Sequence, residues 1–267
     1  FISAIVLSIY AIATKPDIIY SRDELPIFLL SFFRKNLVYE AHRFSNSRGL
    51  FYRRFKSENL KVVVITKNLK DNFIKIGFRP ENVLIAPDGV SLEEFNIDIS
   101  KEEARNKVGL PLDDKIAMYA GHLFEWKGAG TILEAARQCL DILFVFLGGT
   151  ESDVKKFEEK ATEFNLKNIL ILGWKPYKEL PIYFKAADVL VLPNSAKEDI
   201  SRLYTSPLKM FAYMASKRPI VASNLPSLSE VLNQDNAILV KPDDASSLSD
   251  GIRTALDNQD LCNQIST

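Results

Sequence analysis

Short runs of β-branched and aliphatic residues recur along this chain with helix-length spacers between them. That alternation restricts the fold more than any single residue. "DIIY" (17–20), "LVYE" (37–40), "VVVIT" (62–66) and "NVLIAP" (82–87) are near-continuous apolar runs, the pattern of buried parallel strands. Residues 24–33, 48–58 and 67–76 between them carry helical spacing. A second series follows: "KIAMYAG", "ILFVFLGG", "NILILG", "DVLVLP", "PIVAS" and "AILV". Helical patterns near 128–138, 151–164, 177–186, 207–216, 226–232 and 245–256 separate its members. Strand–helix alternation with few hairpin signals predicts an α/β architecture with parallel sheets.

Ten strands are many for one open sheet. The polar segment "DGVSLEEFNIDIS" (88–100) is the natural break, giving Rossmann-like domains over 1–95 and 96–267. The first has four strands and no glycine-rich opening turn, so it is expected to be incomplete. The opening "FISAIVLSIYAIAT" is too short to span a bilayer and reads as an amphipathic or buried helix of a chain whose beginning is missing. Lys+Arg and Asp+Glu both number 34, so no basic excess argues for nucleic acid. Arg53, Arg54 and Lys56 read as a solvated helix face rather than a membrane or phosphate patch. Cys139 and Cys262 lie far apart, which fits a reducing compartment and offers neither a disulfide framework nor a zinc site. No metal is assigned.

In open α/β sheets ligands bind beyond the carboxyl ends of the strands, and four strand ends carry informative residues. In "YAGHLFEWKG" a strand ends at Gly121, and Lys127 precedes the next helix. Glycine lets a ligand approach the backbone, and a lysine beside a helix N-terminus suits a phosphate; an ordinary turn is the competing reading. In "YTSPLKMFAYMA" Ser206 suits the N-cap and Pro207 the first helical position. Lys209 then falls in the first turn, where the macrodipole disfavours a cation by roughly 0.3–1 kcal/mol. Either the lysine and the exposed amides face one anion, or the lysine is solvated. In "ILGW" Trp174 can face a nucleobase or pack in the core. "YEAH" sets His42 just past a strand, and His122 follows another strand end. Histidine orients groups or exchanges protons near neutral pH, although a lone one is more often structural. No Ser-His-Asp arrangement, HExxH or full Walker A sequence is present.

These segments, in this order, resemble the family 4 glycosyltransferases of GT-B fold, most closely over 204–232 and more loosely before residue 80. The resemblance implies two facing Rossmann-like domains, the C-terminal one holding a nucleoside diphosphate sugar. It implies retaining transfer to a hydroxyl acceptor without an obligatory metal or other cofactor. By the same resemblance Gly121, His122, Lys127, Ser206, Leu208 and Lys209 surround the donor diphosphate, with His122 where arginine is usual. That change keeps hydrogen bonding but removes a fixed charge. His42 matches the histidine near the transferred sugar, and Trp174 the base region.

The family's paired glutamates are replaced by Tyr204 and Ala212, the second at the ribose clamp. Ala212 is either a good helix former on a buried side shared with Leu208 and Phe211, or the mark of a weakened donor site. Losing hydrogen bonds to a charged group costs roughly 1.5–3 kcal/mol each, about one to two decades of affinity. The leading expectation is a retaining transferase for glycan, glycolipid or polysaccharide assembly. It would be cytoplasmic, in peripheral contact with the inner membrane face, where a lipid-linked acceptor is presented. The alternatives are a non-catalytic nucleotide-sugar-binding module and a nucleotide-sugar epimerase.

Overall fold

The computed structural model describes residues 2–95 and 97–266. The chain divides into two compact units, Phe1–Pro87 with Leu203–Ser206, and Asp88–Arg202 with Pro207–Thr267. The short return of Leu203–Ser206 to the first unit has no signature in the sequence.

The first unit holds the strands β1 (Ile19–Ser21), β2 (Leu37–Ala41), β3 (Lys61–Val64) and β4 (Val83–Ile85), parallel and in that spatial order. Its helices are α1 (Ile2–Thr14), α2 (Glu24–Leu30), α3 (Gly49–Ser57) and α4 (Lys67–Lys75). Leu37, Tyr39 and Ala41 of β2 are buried with Ile27, Phe55 and Phe73, while Val38 and Glu40 between them are partly accessible. These strands therefore alternate rather than being buried on both faces as expected. The opening does form a helix, but of its two readings, amphipathic or buried, the buried one fails. Only Ala4 and Ser8 are buried on it, and Ile2, Val6, Leu7, Ile9 and Tyr10 are exposed. Arg53 and Lys56 are solvent-exposed. Arg54 is not: it donates to Ser31 Oγ and O at 3.0 and 2.9 Å, pairs with Glu58 and covers the Phe32 ring. No helix among the described residues is long and apolar enough to cross a membrane.

The second unit is built on a six-stranded parallel sheet: β5 (Lys115–Ala120), β6 (Ile142–Leu147), β7 (Ile169–Gly173), β8 (Val189–Leu192), β9 (Ile220–Ser223) and β10 (Ile238–Val240). The spatial order is β10-β9-β8-β5-β6-β7, so the winding reverses between β5 and β8. Its helices are α5 (Leu92–Phe95), α6 (Lys101–Val108), α7 (Ala129–Ala136), α8 (Glu151–Glu163), α9 (Leu180–Ala186), α10 (Leu208–Ala215), α11 (Ala245–Asp257) and α12 (Gln259–Ile265). Successive residues of β5 serve opposite layers. Ile116 and Met118 join the core with Phe184, Met210 and Tyr213, whereas Ala117 and Tyr119 join that with Ile132, Phe157 and Ile252. This two-sided burial is what the continuous apolar runs predict.

Three local readings change. Residues 226–232 form turns rather than a helix; Leu228 and Leu232 are buried, so their spacing reflects core cover and not helical winding. α6 was not anticipated, although Ser100 and Glu103 close a capping box at its start. α10 begins one residue later than expected: Pro207 takes the cap position with φ −74° and ψ 122°, and Ser206 lies before it.

Candidate functional site

The carboxyl ends of β5, β6 and β7 and the first turns of α10 enclose a cavity of about 1020 Å³ in the second unit. It lies beside the point where the winding reverses, the usual place for a ligand in such sheets. The β5 end is pinned to α10 because Ala120 N–H donates to the Tyr213 hydroxyl at 2.8 Å. Gly121 follows with φ +143°, and a Cβ there would stand 3.5 Å from Lys209 Nζ and 3.2 Å from the Tyr119 hydroxyl. Gly128 (φ +76°) then lets α7 begin against β8. A Cβ there would be 1.7 Å from the Pro193 carbonyl oxygen, so only glycine fits.

Two helix N-termini meet the cavity in different states. α8 is closed by a reciprocal Thr150–Asp153 capping box and carries Glu151 and Asp153 in its first turn. α10 has no acidic residue in its first turn and no side-chain cap, so its leading amides are free of that competition. Lys209 sits on this open turn. Its side chain as a whole is only partly covered, but Nζ is shielded from solvent and has no hydrogen-bond partner among the described residues. The amine lies 4.1 Å from the centre of the Tyr119 ring, a favourable bed for a cation. Burial, followed by the nearby Lys127 charge, pushes its pKa well below the ordinary lysine value. Lys127 rests 4.0 Å from the Trp126 ring, and burial lowers it to about 8. The Tyr119 hydroxyl donates to the His122 carbonyl at 2.6 Å, and burial holds its proton well beyond the usual range.

The structure brings together Gly121, His122, Lys127, Trp174, Leu208, Lys209 and Ala212 as cavity lining. His122 is solvent-exposed, and its ring stacks on Phe124 with centroids 4.9 Å apart and planes 3° from parallel. Trp174 is 72% exposed, which rules out the core-packing alternative. The solvated alternative for Lys209 fails at its Nζ. Ala212 is buried, but Leu208 is 53% exposed on the cavity rim, so the expected shared buried side is not formed.

Ser206, Tyr204 and His42 belong to the first unit and do not line this cavity. The Tyr204 hydroxyl accepts from Asn72 Nδ2 at 3.3 Å. His42 Nδ1 is 2.8 Å from Arg22 Nη2, and its Nε2 is 2.6 Å from Glu40 Oε1. Arginine can only donate, so Nδ1 accepts and Nε2–H faces the carboxylate. Burial works against the charged form of Glu40. Hydrogen bonds from His42 and Tyr20, with the Arg22 charge, outweigh it and keep the carboxyl below its ordinary value. Sequence reasoning missed Arg22 and Glu40 as partners of His42, and Tyr119 beneath Lys209. The Thr150–Asp153 spacing was the one readable signal for the α8 boundary.

A family profile described as Glycosyl transferases group 1 matches residues 100–267. The chain belongs to the group 1 glycosyl transferases. A D-inositol 3-phosphate glycosyltransferase of Catenulispora acidiphila is 26% identical over 213 residues, covering 74% of this chain and 49% of that protein. A UDP-Gal:alpha-D-GlcNAc-diphosphoundecaprenol alpha-1,3-galactosyltransferase of Escherichia coli is 28% identical over 193 residues, covering 68% and 47% respectively. The chain thus spans about half the length of the curated relatives it matches. Among solved structures, Anabaena HepE in complex with UDP superposes with a TM-score of 0.83 at 19% identity, covering 98% of this chain and 74% of that one. That likeness establishes the GT-B fold of this group 1 chain.

Proposed function

We propose that this protein transfers a sugar from a nucleoside diphosphate sugar to a hydroxyl acceptor, with retention at the anomeric carbon. The observation that carries the reading is the pairing of Lys209 Nζ, which lacks a hydrogen-bond partner among the described residues, with Lys127 at the open N-terminus of α10. Two desolvated amines beside the leading amides of α10 make an anion site, and the apolar wall beyond it suits the nucleoside. The UDP held by the Anabaena neighbour and the donor named for the E. coli relative support such a ligand.

In this mechanism the bond between the anomeric carbon and the β-phosphate oxygen breaks, and negative charge builds on the departing diphosphate. Lys127, Lys209 and the first amides of α10 stabilise that charge in place, without reorganisation. The acceptor oxygen bonds to the same face of the sugar, and its proton leaves with the diphosphate. His42 positions the sugar or the acceptor, its ring orientation fixed by Arg22 and Glu40. The diphosphoundecaprenol acceptor of the E. coli relative supports a lipid-linked acceptor. On this reading the work is done in the cytoplasm at a membrane face, in polysaccharide or glycolipid assembly.

The test is to follow UDP release and product formation from UDP-sugars with and without sugar-diphosphate lipid acceptors. Acceptor-dependent release with the product's anomeric configuration retained supports the proposal. Conversion of the sugar without acceptor would make the protein an epimerase, and nucleotide binding without turnover would make it a binding module.

A further inference from the structure

We propose that the pocket does not read the pentose hydroxyls, so it accepts 2′-deoxyribonucleoside diphosphate sugars on a par with ribonucleoside ones. The inference rests on the donor reading above and concerns the same cavity. Lys209 and Ala212 stand three residues apart on α10, so they are neighbours on one face of the helix. A diphosphate held by Lys209 and the first α10 amides therefore sets the attached pentose against Ala212. Ala212, Leu180 and Phe184 give the lining an apolar wall, and Trp174, Lys175 and Tyr177 line the cavity as well. Phe184 is fixed edge-on against Tyr213, with centroids 5.1 Å apart, so this wall is part of the core rather than an adjustable surface.

A pentose hydroxyl facing this wall meets methyl and ring carbons. A site built to hydrogen-bond a hydroxyl penalises the analogue that lacks it, because its own polar group is left unpaired, whereas an apolar wall has nothing to leave unpaired. The rival side-chain acceptors on the lining are the Thr150 and Tyr177 hydroxyls, the Glu151 carboxylate and the His122 ring. The Thr150 hydroxyl is already engaged, donating to Asp153 Oδ2 at 2.8 Å and accepting from Asp153 N at 3.2 Å. Glu151 is the carboxylate among the cavity-lining residues and, with the Tyr177 hydroxyl, a side chain that could restore hydroxyl recognition.

The experiment is calorimetric titration of the wild-type protein with UDP and with 2′-deoxy-UDP. Dissociation constants within about threefold of each other are expected, against the ten- to hundredfold or so that a carboxylate hydrogen bond provides. UDP binding more than about tenfold tighter overturns the inference while leaving the donor reading intact. In that event Glu151→Gln, by erasing the preference, would identify the acceptor. Binding of neither ligand defeats the donor reading and the inference with it. Ala212→Glu is expected to create a preference for UDP of about tenfold or more. The comparison on the wild type decides the matter even if that buried substitution disturbs folding.

Discussion

An amine shielded from water without a hydrogen-bond partner costs a folded protein free energy, and Lys209 is such an amine until an anion arrives. Lys127, partly buried, is also held below its ordinary value by burial, with its pKa near 8 instead of 10.5. Between those values the unfolded chain keeps a proton that the folded chain has shed. The stability of the ligand-free protein therefore climbs through that window as pH rises, and the penalty is fully present below it. Lys209→Met and Lys127→Met are each expected to stabilise the ligand-free protein at pH 7, by about 1–3 kcal/mol, and to flatten that climb. Each is also expected to lose UDP binding. Urea unfolding of wild type and variants from pH 7 to 10 reads both effects, the difference cancelling groups common to all three. A variant less stable than wild type at pH 7, with the climb intact, would show the amines to be structural. The sequence displayed half of this arrangement. A lysine in a first helical turn was visibly awkward, but the Tyr119 ring beneath it comes from the neighbouring strand, and no local pattern announces that.

Elements with their own local signals were readable, and those defined by distant partners were not. The strands of the second sheet stood out because the central ones, β5, β6, β8 and β9, are buried on both faces by helices. α6 escaped notice because it is short and largely charged, and what fixes it is one side chain. Arg105 is 1% exposed. It donates to the carbonyls of Pro111, Leu112, Asp114 and Ala186 and pairs with Asp188 at 2.6 Å. Asp188 also accepts from Lys101 Nζ and from Ile116 N–H, so this network ties α6 to the starts of β5 and β8. Arg105→Ala should lower unfolding stability by about 3–5 kcal/mol, because it takes the buried donor from four carbonyls and leaves Asp188 with only Lys101 and the Ile116 amide. Arg105→Lys should recover only part of this, since one ammonium cannot reproduce the fork of donors. Chemical denaturation of the two variants tests the ordering, and equal loss of less than about 1 kcal/mol in both would reduce the network to surface decoration. The converse error came at 226–232. There Leu225, Leu228 and Leu232 mimic helical spacing, yet Pro226 opens a run of turns that still buries all three.

At the scale of the molecule, each unit has a hydrophobic core of its own, and the family profile falls on residues 100–267. The ligand chemistry follows that division, because every residue lining the large cavity belongs to the second unit. Binding there must stabilise the native state by mass action, by about 2.7 kcal/mol at a hundredfold excess over the dissociation constant. Where the stabilisation appears is the sharper question. Amide exchange is expected to slow most at the ends of β5 and β6 and along the first turns of α10, over 119–128, 148–151 and 207–212. These segments supply the amines, the glycine backbone and the open amides. They end in loops or begin short helices, so in the free protein they open locally at lower cost than the strands beneath them. Hydrogen exchange with saturating UDP measures this directly. Protection centred instead on β2 and α3 would put the nucleotide beside His42 and remove Lys127 and Lys209 from the donor site. Protection centred on α10 and the Gly121 turn would place the leaving diphosphate beside Lys209 and Lys127.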